Sequence, residues 1–271
     1  MKKLVKQIKK ISIVNRGGMN NSIWSHILEY CKYSPELIDN FVITSKQIKE
    51  SKQTWSGKKS QFEPRLLCKQ DTKECRPNIF KQYGLNILSI KNGTYLLTHD
   101  NIYVTLKNVE VQNKIASKIV SKHCSGILEI GNSETSLLDN LRYNGVLEDE
   151  IGEKILYGPL LGGRHRCHFT TILGEKKIVV AGSQYETDGC FETENKVCII
   201  EVKSKSVKSF NIRQLYYPYR VIYNKIGDTK EIICLFIYRD KKKVIHIFKY
   251  KWINPKIMMN IVCIGYKTYT Y

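Results

Sequence analysis

The sequence predicts a mixed α/β protein, and three observations carry that prediction. Short apolar, strand-like runs recur at 168–173, 177–181 and 197–203. Segments with apolar residues at helical spacing lie before and after them, at 134–143 and 209–223. Two further alternating runs, 231–238 and 244–252, flank the charged turn Arg239-Asp240-Lys241-Lys242 and read as a hairpin.

The chain begins with a basic arm, residues 1–18, which holds Lys2, Lys3, Lys6, Lys9 and Lys10 and ends in Gly17-Gly18. No uninterrupted apolar stretch follows, so no secretory signal is expected. Ile23, Trp24, Ile27, Leu28 and Cys31 recur at helical spacing, and Pro35 restarts the chain. Residues 44–63 are polar and lysine-rich and predict a loop. Strands are expected at 85–90, 94–98 and 101–106, with Asn92-Gly93 as a hairpin turn. Helical spacing returns at 111–120. Three regions follow: the arm 1–18, an N-terminal mixed α/β region 19–110 and a catalytic-looking region 111–271.

The charge is 44 − 25 = +19 with 42% hydrophobic residues. The apolar content excludes a mostly disordered chain. No run approaches the ~18–20 apolar residues of a membrane span. The positive charge calls for a polyanionic partner, with nucleic acid leading because each Lys or Arg on a phosphate releases a counterion. An AT-rich coding bias would also enrich Lys, Ile, Asn and Tyr. Nine cysteines, none in a Cys-x-x-Cys pair and several inside apolar runs, read as reduced thiols of a cytoplasmic protein. His165-x-x-His168 does not make a zinc site, since residues three apart on a strand face opposite ways.

The chemistry concentrates in two runs. Lys177–Ala181 leads through Glu186 to Asp188-Gly189, and Val197-Cys-Ile-Ile carries Glu201-Val202-Lys203. Residues i and i+2 of a strand share a face, so Glu201 and Lys203 lie together, as do Glu186 and Asp188. If the two strands pair, Asp188, Glu201 and Lys203 converge at one sheet edge. Such a set suits Mg2+, which takes a few carboxylate oxygens and keeps its waters, with the Val202 carbonyl as a further ligand. The acid-x-Lys pattern begins at Glu50, Asp71, Glu175, Glu194, Glu201, Asp228 and Asp240, and only Glu201 sits inside a strongly apolar strand. An edge strand with an ordinary exposed ion pair fits the local pattern equally well.

Asp188-x12-Glu201-Val202-Lys203, with a hydrophobic strand before the glutamate, resembles the PD-(D/E)XK nuclease signature, with Thr187 where a proline is usual. Gln184-x-Glu186-x-Asp188-Gly189, Phe210–Arg220, Leu160-Leu-Gly-Gly-Arg164 and Lys73-x-x-Arg76-Pro77 are similar to a group of restriction-endonuclease-like proteins. The resemblance is firm over 130–225, thinner over 60–110, and does not extend to the C-terminal hairpin.

It implies a restriction-endonuclease-like mixed sheet flanked by helices and a Mg2+-dependent type II restriction endonuclease that cuts double-stranded DNA to leave 5′-phosphates. It also implies a homodimer and a cognate DNA methyltransferase as genetic partner. Asp188 and Glu201 would bind metal, with Val202, and Lys203 would act on the attacking water. Glu186 and Glu134 are candidate auxiliary acids, although Ser133-Glu134 also reads as a helix start. Candidate DNA contacts are Arg65, Lys69, Lys73, Arg76, Arg164, Arg166, Arg213 and Gln214. On the helix expected after Lys203, Ile212, Leu215, Tyr216, Tyr219, Ile222 and Tyr223 form the core face. Arg213, Tyr217 and Arg220 are expected on its outer side, with Pro218 at a kink or break.

Overall fold

The computed structural model describes residues 20–34, 41–57, 62–106, 117–120, 131 and 133–270. The basic arm 1–18 lies outside them, as does most of the helix expected at 111–120. The chain divides into two compact units, Met1–Ile102 and Tyr103–Tyr271.

In the first unit, helix α1 covers 20–30 and buries Ile23, Trp24, Ile27 and Leu28. Strands β1 (Phe41–Thr44), β2 (Asn86–Lys91) and β3 (Thr94–Thr98) form an antiparallel sheet in the order β1-β3-β2. The polar segment expected as a loop instead begins with helix α2 (Ser45–Ser51) and a 3-10 turn, Lys52–Thr54. The Thr44 hydroxyl accepts the Gln47 N–H, and the Gln47 side chain accepts the Thr44 N–H, a reciprocal cap that starts the helix. Only Ile48 and Ser51 are buried, so the segment carried too few apolar residues to show a period. Short helices α3 (Pro64–Leu67) and α4 (Asn78–Gln82) add Leu67 and Phe80 to the core around Trp24.

The second unit begins with strands β4 (Tyr103–Thr105) and β5 (Ser117–Lys118) and helices α5 (Glu134–Tyr143) and α6 (Val146–Ile151). A hairpin follows, β6 (His165–Leu173) and β7 (Lys176–Tyr185), then β8 (Gly189–Glu192), β9 (Lys196–Lys203) and β10 (Ser209–Asn211). Helix α7 (Arg213–Ile226) leads to β11 (Glu231–Arg239), β12 (Ile245–Trp252) and β13 (Ile261–Thr270). The main sheet is mixed, in the order β5-β13-β12-β11-β9-β8. Strand β11 runs parallel to β9 and antiparallel to β12, and α7 makes the crossover that a parallel pair requires.

Sheet faces follow the two-residue period. Cys198, Ile200 and Val202 of β9, with Ile233, Leu235 and Ile237 of β11, pack against Leu137, Leu138 and Leu141 of α5 and Leu147 of α6. On the other face the Phe210 ring stacks on Phe236, and Trp252 stacks on Tyr219 of α7. Both faces are covered, which is why β11 reads as one continuous apolar run.

Four expectations need correction. Ser117–Lys118 is a strand paired parallel with Tyr269–Thr270, not helix. Ser209–Asn211 is a strand too, paired with β4, so the helix starts at Arg213, whose N–H bonds the Asn211 side chain. That helix runs unbroken past Pro218 to Ile226, although proline offers no N–H to the carbonyl of Gln214. The expected solvent side of α7 is also absent: Tyr217 and Arg220 are buried, because the β6–β7 hairpin packs there. Phe169 of β6 meets the Tyr216 and Tyr217 rings edge-on, and Thr171 Oγ1 lies 2.6 Å from the Tyr216 hydroxyl.

The turn between β11 and β12 holds a titrating group. Burial pushes the Asp240 carboxyl up, but hydrogen bonds from the His246 ring and the Val244 and Lys242 N–H groups outweigh it and hold it below the usual range. A depressed carboxylate stabilises the fold above its unfolded value and loses that contribution as pH falls through its folded value. Asp240→Ala is expected to lose about 1–2 kcal/mol near neutral pH and to flatten the acid limb of the stability curve. Urea unfolding across pH 2–7 measures both.

Candidate active site

Strand pairing assembles the site, but not the pairing expected: the 177–181 run, in β7, pairs with β6, and the short strand β8 takes the place beside β9. Gly189 of β8 lies opposite Ile200 of β9, so Asp188 stands at the end of β8 beside Glu201 and Val202. Its Oδ2 accepts the Val202 N–H at 2.7 Å, filling the ladder position that the next backbone carbonyl of β8 would have taken. The glycine after the aspartate is a packing requirement rather than a turn. A Cβ on Gly189 would meet Leu138 of α5 and the Phe191 ring at 2.9 Å.

Glu201 and Lys203 project from β9 on the α7 side. The Lys203 ammonium donates to Glu201 Oε1, and the Gln214 amide, in the first turn of α7, donates to the same oxygen. The Glu201 side chain is only 9% exposed and that of Lys203 17%, so this is not the ordinary exposed pair of an edge strand. Gln214 Oε1 is buried and has no hydrogen-bond partner among the described residues. Glu134 begins α5 after the Ser133 cap, and its Oε1 accepts the Ser204 N–H at 3.3 Å.

These groups share one electrostatic field. Asp188 is accessible to solvent, yet its carboxyl lies against β9. Desolvation raises it above the usual aspartate value, the Val202 N–H and Lys203 pull it back, and Glu134 and Glu186 push it further up. Burial lowers the Lys203 ammonium, but the charge and hydrogen bond of Glu201, with Glu134 and Asp188, outweigh it and keep it above the ordinary lysine value.

Glu186 and Asp188 do not share a strand face, since residues 186–188 lie between β7 and β8. Glu186 is exposed and pairs with Arg164. Arg166 faces outward on β6, and Arg213 is half-buried at the start of α7. The amide of Gln214, a candidate DNA contact, is held on Glu201. Arg65, Lys69, Lys73 and Arg76 belong to the first unit. Arg65 and Lys73 are exposed, and Lys69 lies 3.4 Å from Asp71. Arg76 bonds the Lys73 and Leu85 carbonyls and, at 2.8 Å, Asn86 Oδ1, so its guanidinium clasps its own unit. His165 bonds the Gly162 carbonyl, while His168 points outward on β6.

The donor set fits a hard cation. Asp188 and Glu201 stand across from each other where the β8–β9 ladder ends. The Val202 carbonyl points to the same strand edge as its N–H, toward Asp188. Two carboxylates and one carbonyl are what Mg2+ takes while keeping its waters. Among the described residues no group of three His, Cys, Asp or Glu side chains is placed to hold a metal. No helix among them is long and apolar enough to cross a membrane, and none of their cysteines is in a disulfide.

Two family descriptions match the chain, both domains of unknown function: DUF6996 over residues 21–97 and DUF6997 over residues 98–270. No curated protein and no solved structure matches it. The second match takes in Glu134, Asp188, Glu201, Lys203 and Gln214 and spans more than half of the sequence, and the chain therefore belongs to the DUF6997 family.

Proposed function

We propose that this protein is a Mg2+-dependent endodeoxyribonuclease of the type II restriction class, built on a restriction-endonuclease-like fold and acting in the cytoplasm. One observation carries the reading: Asp188 is bonded to the backbone between Glu201 and Lys203, at the end of a buried strand that an α-helix links to a parallel neighbour. Ligand sites of α/β sheets gather at such carboxyl ends of parallel strands.

Asp188, Glu201 and the Val202 carbonyl would hold the cation. A bound Mg2+ would polarise the scissile phosphate and lower the pKa of a coordinated water. Lys203 would orient that water and offset negative charge on the phosphate. Gln214 would keep Glu201 in place, and Glu134 would add negative charge beside the cation. Hydrolysis would leave a 5′-phosphate. A homodimer would match a two-fold symmetric DNA site, and a methyltransferase would protect the host's own copies.

The test is cleavage of plasmid and phage DNA with Mg2+ or EDTA, by wild-type and Lys203→Ala proteins. Discrete fragments, absent with EDTA and at least about 10³-fold slower to form with Lys203→Ala, are expected. A smear lost in the same way would point to a repair or mobile-element nuclease. Tight, metal-independent DNA binding with no cleavage would overturn the enzyme reading.

A second prediction concerns the metal. Asp188→Asn removes a desolvated charge, so the metal-free variant is expected to be at least as stable as wild type. Added Mg2+ should raise the wild-type melting temperature in proportion to site occupancy and leave Asp188→Asn unmoved. Thermal melts with and without Mg2+ decide it.

A further inference from the structure

The β6–β7 hairpin is a two-stranded ribbon with one buried and one open face. Cys167, Phe169, Thr171 and Leu173 point inward, where α7 packs against them. The open face carries Arg166, His168 and Thr170 from β6 and Lys177, Ala181 and Gln184 from β7, all exposed. None of the outward-pointing residues of either strand is acidic.

A bulge sets which residues reach that face. The register shifts between Cys167 and His168, where Gly182 is the extra residue of β7, at φ +86°. Simple alternation from Ala181 would turn Ser183 outward and Gln184 inward. The inserted glycine reverses this, burying Ser183 and placing Gln184 outward, directly across from Arg166. The side chains most able to make paired hydrogen bonds thus stand side by side. They lie at the end of the ribbon that leads to the active site, four residues before Asp188.

Resting on the nuclease reading above, we propose that the open face of the β6–β7 ribbon enters the major groove of duplex DNA and reads bases through Arg166 and Gln184. The shapes agree. A two-stranded ribbon fits a groove about 12 Å wide. Outward side chains along a strand recur every ~6.8 Å, two base-pair steps of ~3.4 Å. The chemistry agrees as well: arginine bonds the O6 and N7 edge of guanine, glutamine the N6 and N7 edge of adenine, and small methyl-bearing side chains such as Ala181 and Thr170 meet thymine methyls. Lys177, at the far end of the ribbon, meets a phosphate. Arg166 and Lys177, with no acidic side chain on the face, give the charge complementarity.

The experiment is selection of bound sequences from a pool of randomised 20-base-pair duplexes by the full chain in EDTA, followed by anisotropy titrations of the selected duplex. Wild type should enrich a defined sequence. Arg166→Ala and Gln184→Ala should each lose about tenfold or more in discrimination at one or two adjacent base pairs and keep the rest. Arg166→Lys, which keeps the charge but not the fork, should lose the same discrimination at an unchanged salt slope. Lys177→Ala should keep the sequence and lower the salt slope by about 0.9. The residues are exposed, so melting temperatures should match wild type.

Unchanged discrimination in the Arg166 and Gln184 variants would overturn the proposal, as would equal competition by duplex RNA, whose major groove is too narrow for side chains. Mg2+-dependent cleavage persisting under either result would leave the nuclease reading standing. Variants that lose discrimination in a protein that never cuts would uphold the ribbon and overturn the nuclease.

Discussion

Glu201→Ala is expected to abolish cleavage and to destabilise the fold by about 3–5 kcal/mol, since removing one partner of a buried pair strands the other charge. The Lys203 ammonium, in a side chain 17% exposed, would lose the carboxylate it donates to and keep the charges of Glu134 and Asp188, and the Gln214 amide would lose its acceptor as well. The double variant Glu201→Ala/Lys203→Met removes both charges and should recover most of the stability while remaining inactive. Urea unfolding of the two proteins beside wild type separates the effects. If the single variant unfolds like wild type, the pair is exposed and the site is not the buried cluster described above.

Tyr217→Ala is expected to cost about 3–5 kcal/mol, the range for truncating a buried aromatic side chain. Tyr217 is fully buried, its ring meets Phe169 of β6 with centroids 5.3 Å apart, and burial drives its hydroxyl far above the ordinary tyrosine range. An exposed tyrosine on the outer side of a helix would lose only within about 0.5 kcal/mol. The same truncation also removes a support of the ribbon next to Asp188, so DNA cleavage should fall even at temperatures where the protein stays folded. Thermal melts together with cleavage below the melting range test both statements.

Elements whose burial is one-sided, or that form continuous apolar runs, were legible from periodicity. Helix α5, the β6–β7 hairpin, β9 and the β11–β12 hairpin all appear close to the expected positions. Elements with few buried residues were not. Helix α2 is specified by the Thr44–Gln47 cap more than by an apolar stripe, and only Tyr269 of β13 is fully buried. The C-terminal hairpin, outside the sequence resemblance, belongs to the central sheet, with β11 as the parallel partner of β9.

The sequence alone determined the mixed α/β class and the apolar strand that carries Glu201 and Lys203, because these depend on local period; the neighbour expected from 177–181 is instead the separate strand β8. Tertiary structure decided the rest. Register placed Asp188 Oδ2 on the Val202 N–H, packing of α7 against β6 buried Tyr217, and the α7 crossover brought Gln214 to Glu201. Those contacts join residues that neither a two-residue nor a 3.6-residue period relates. They arise from which strands pair, and pairing is chosen by burying both faces of the sheet at once.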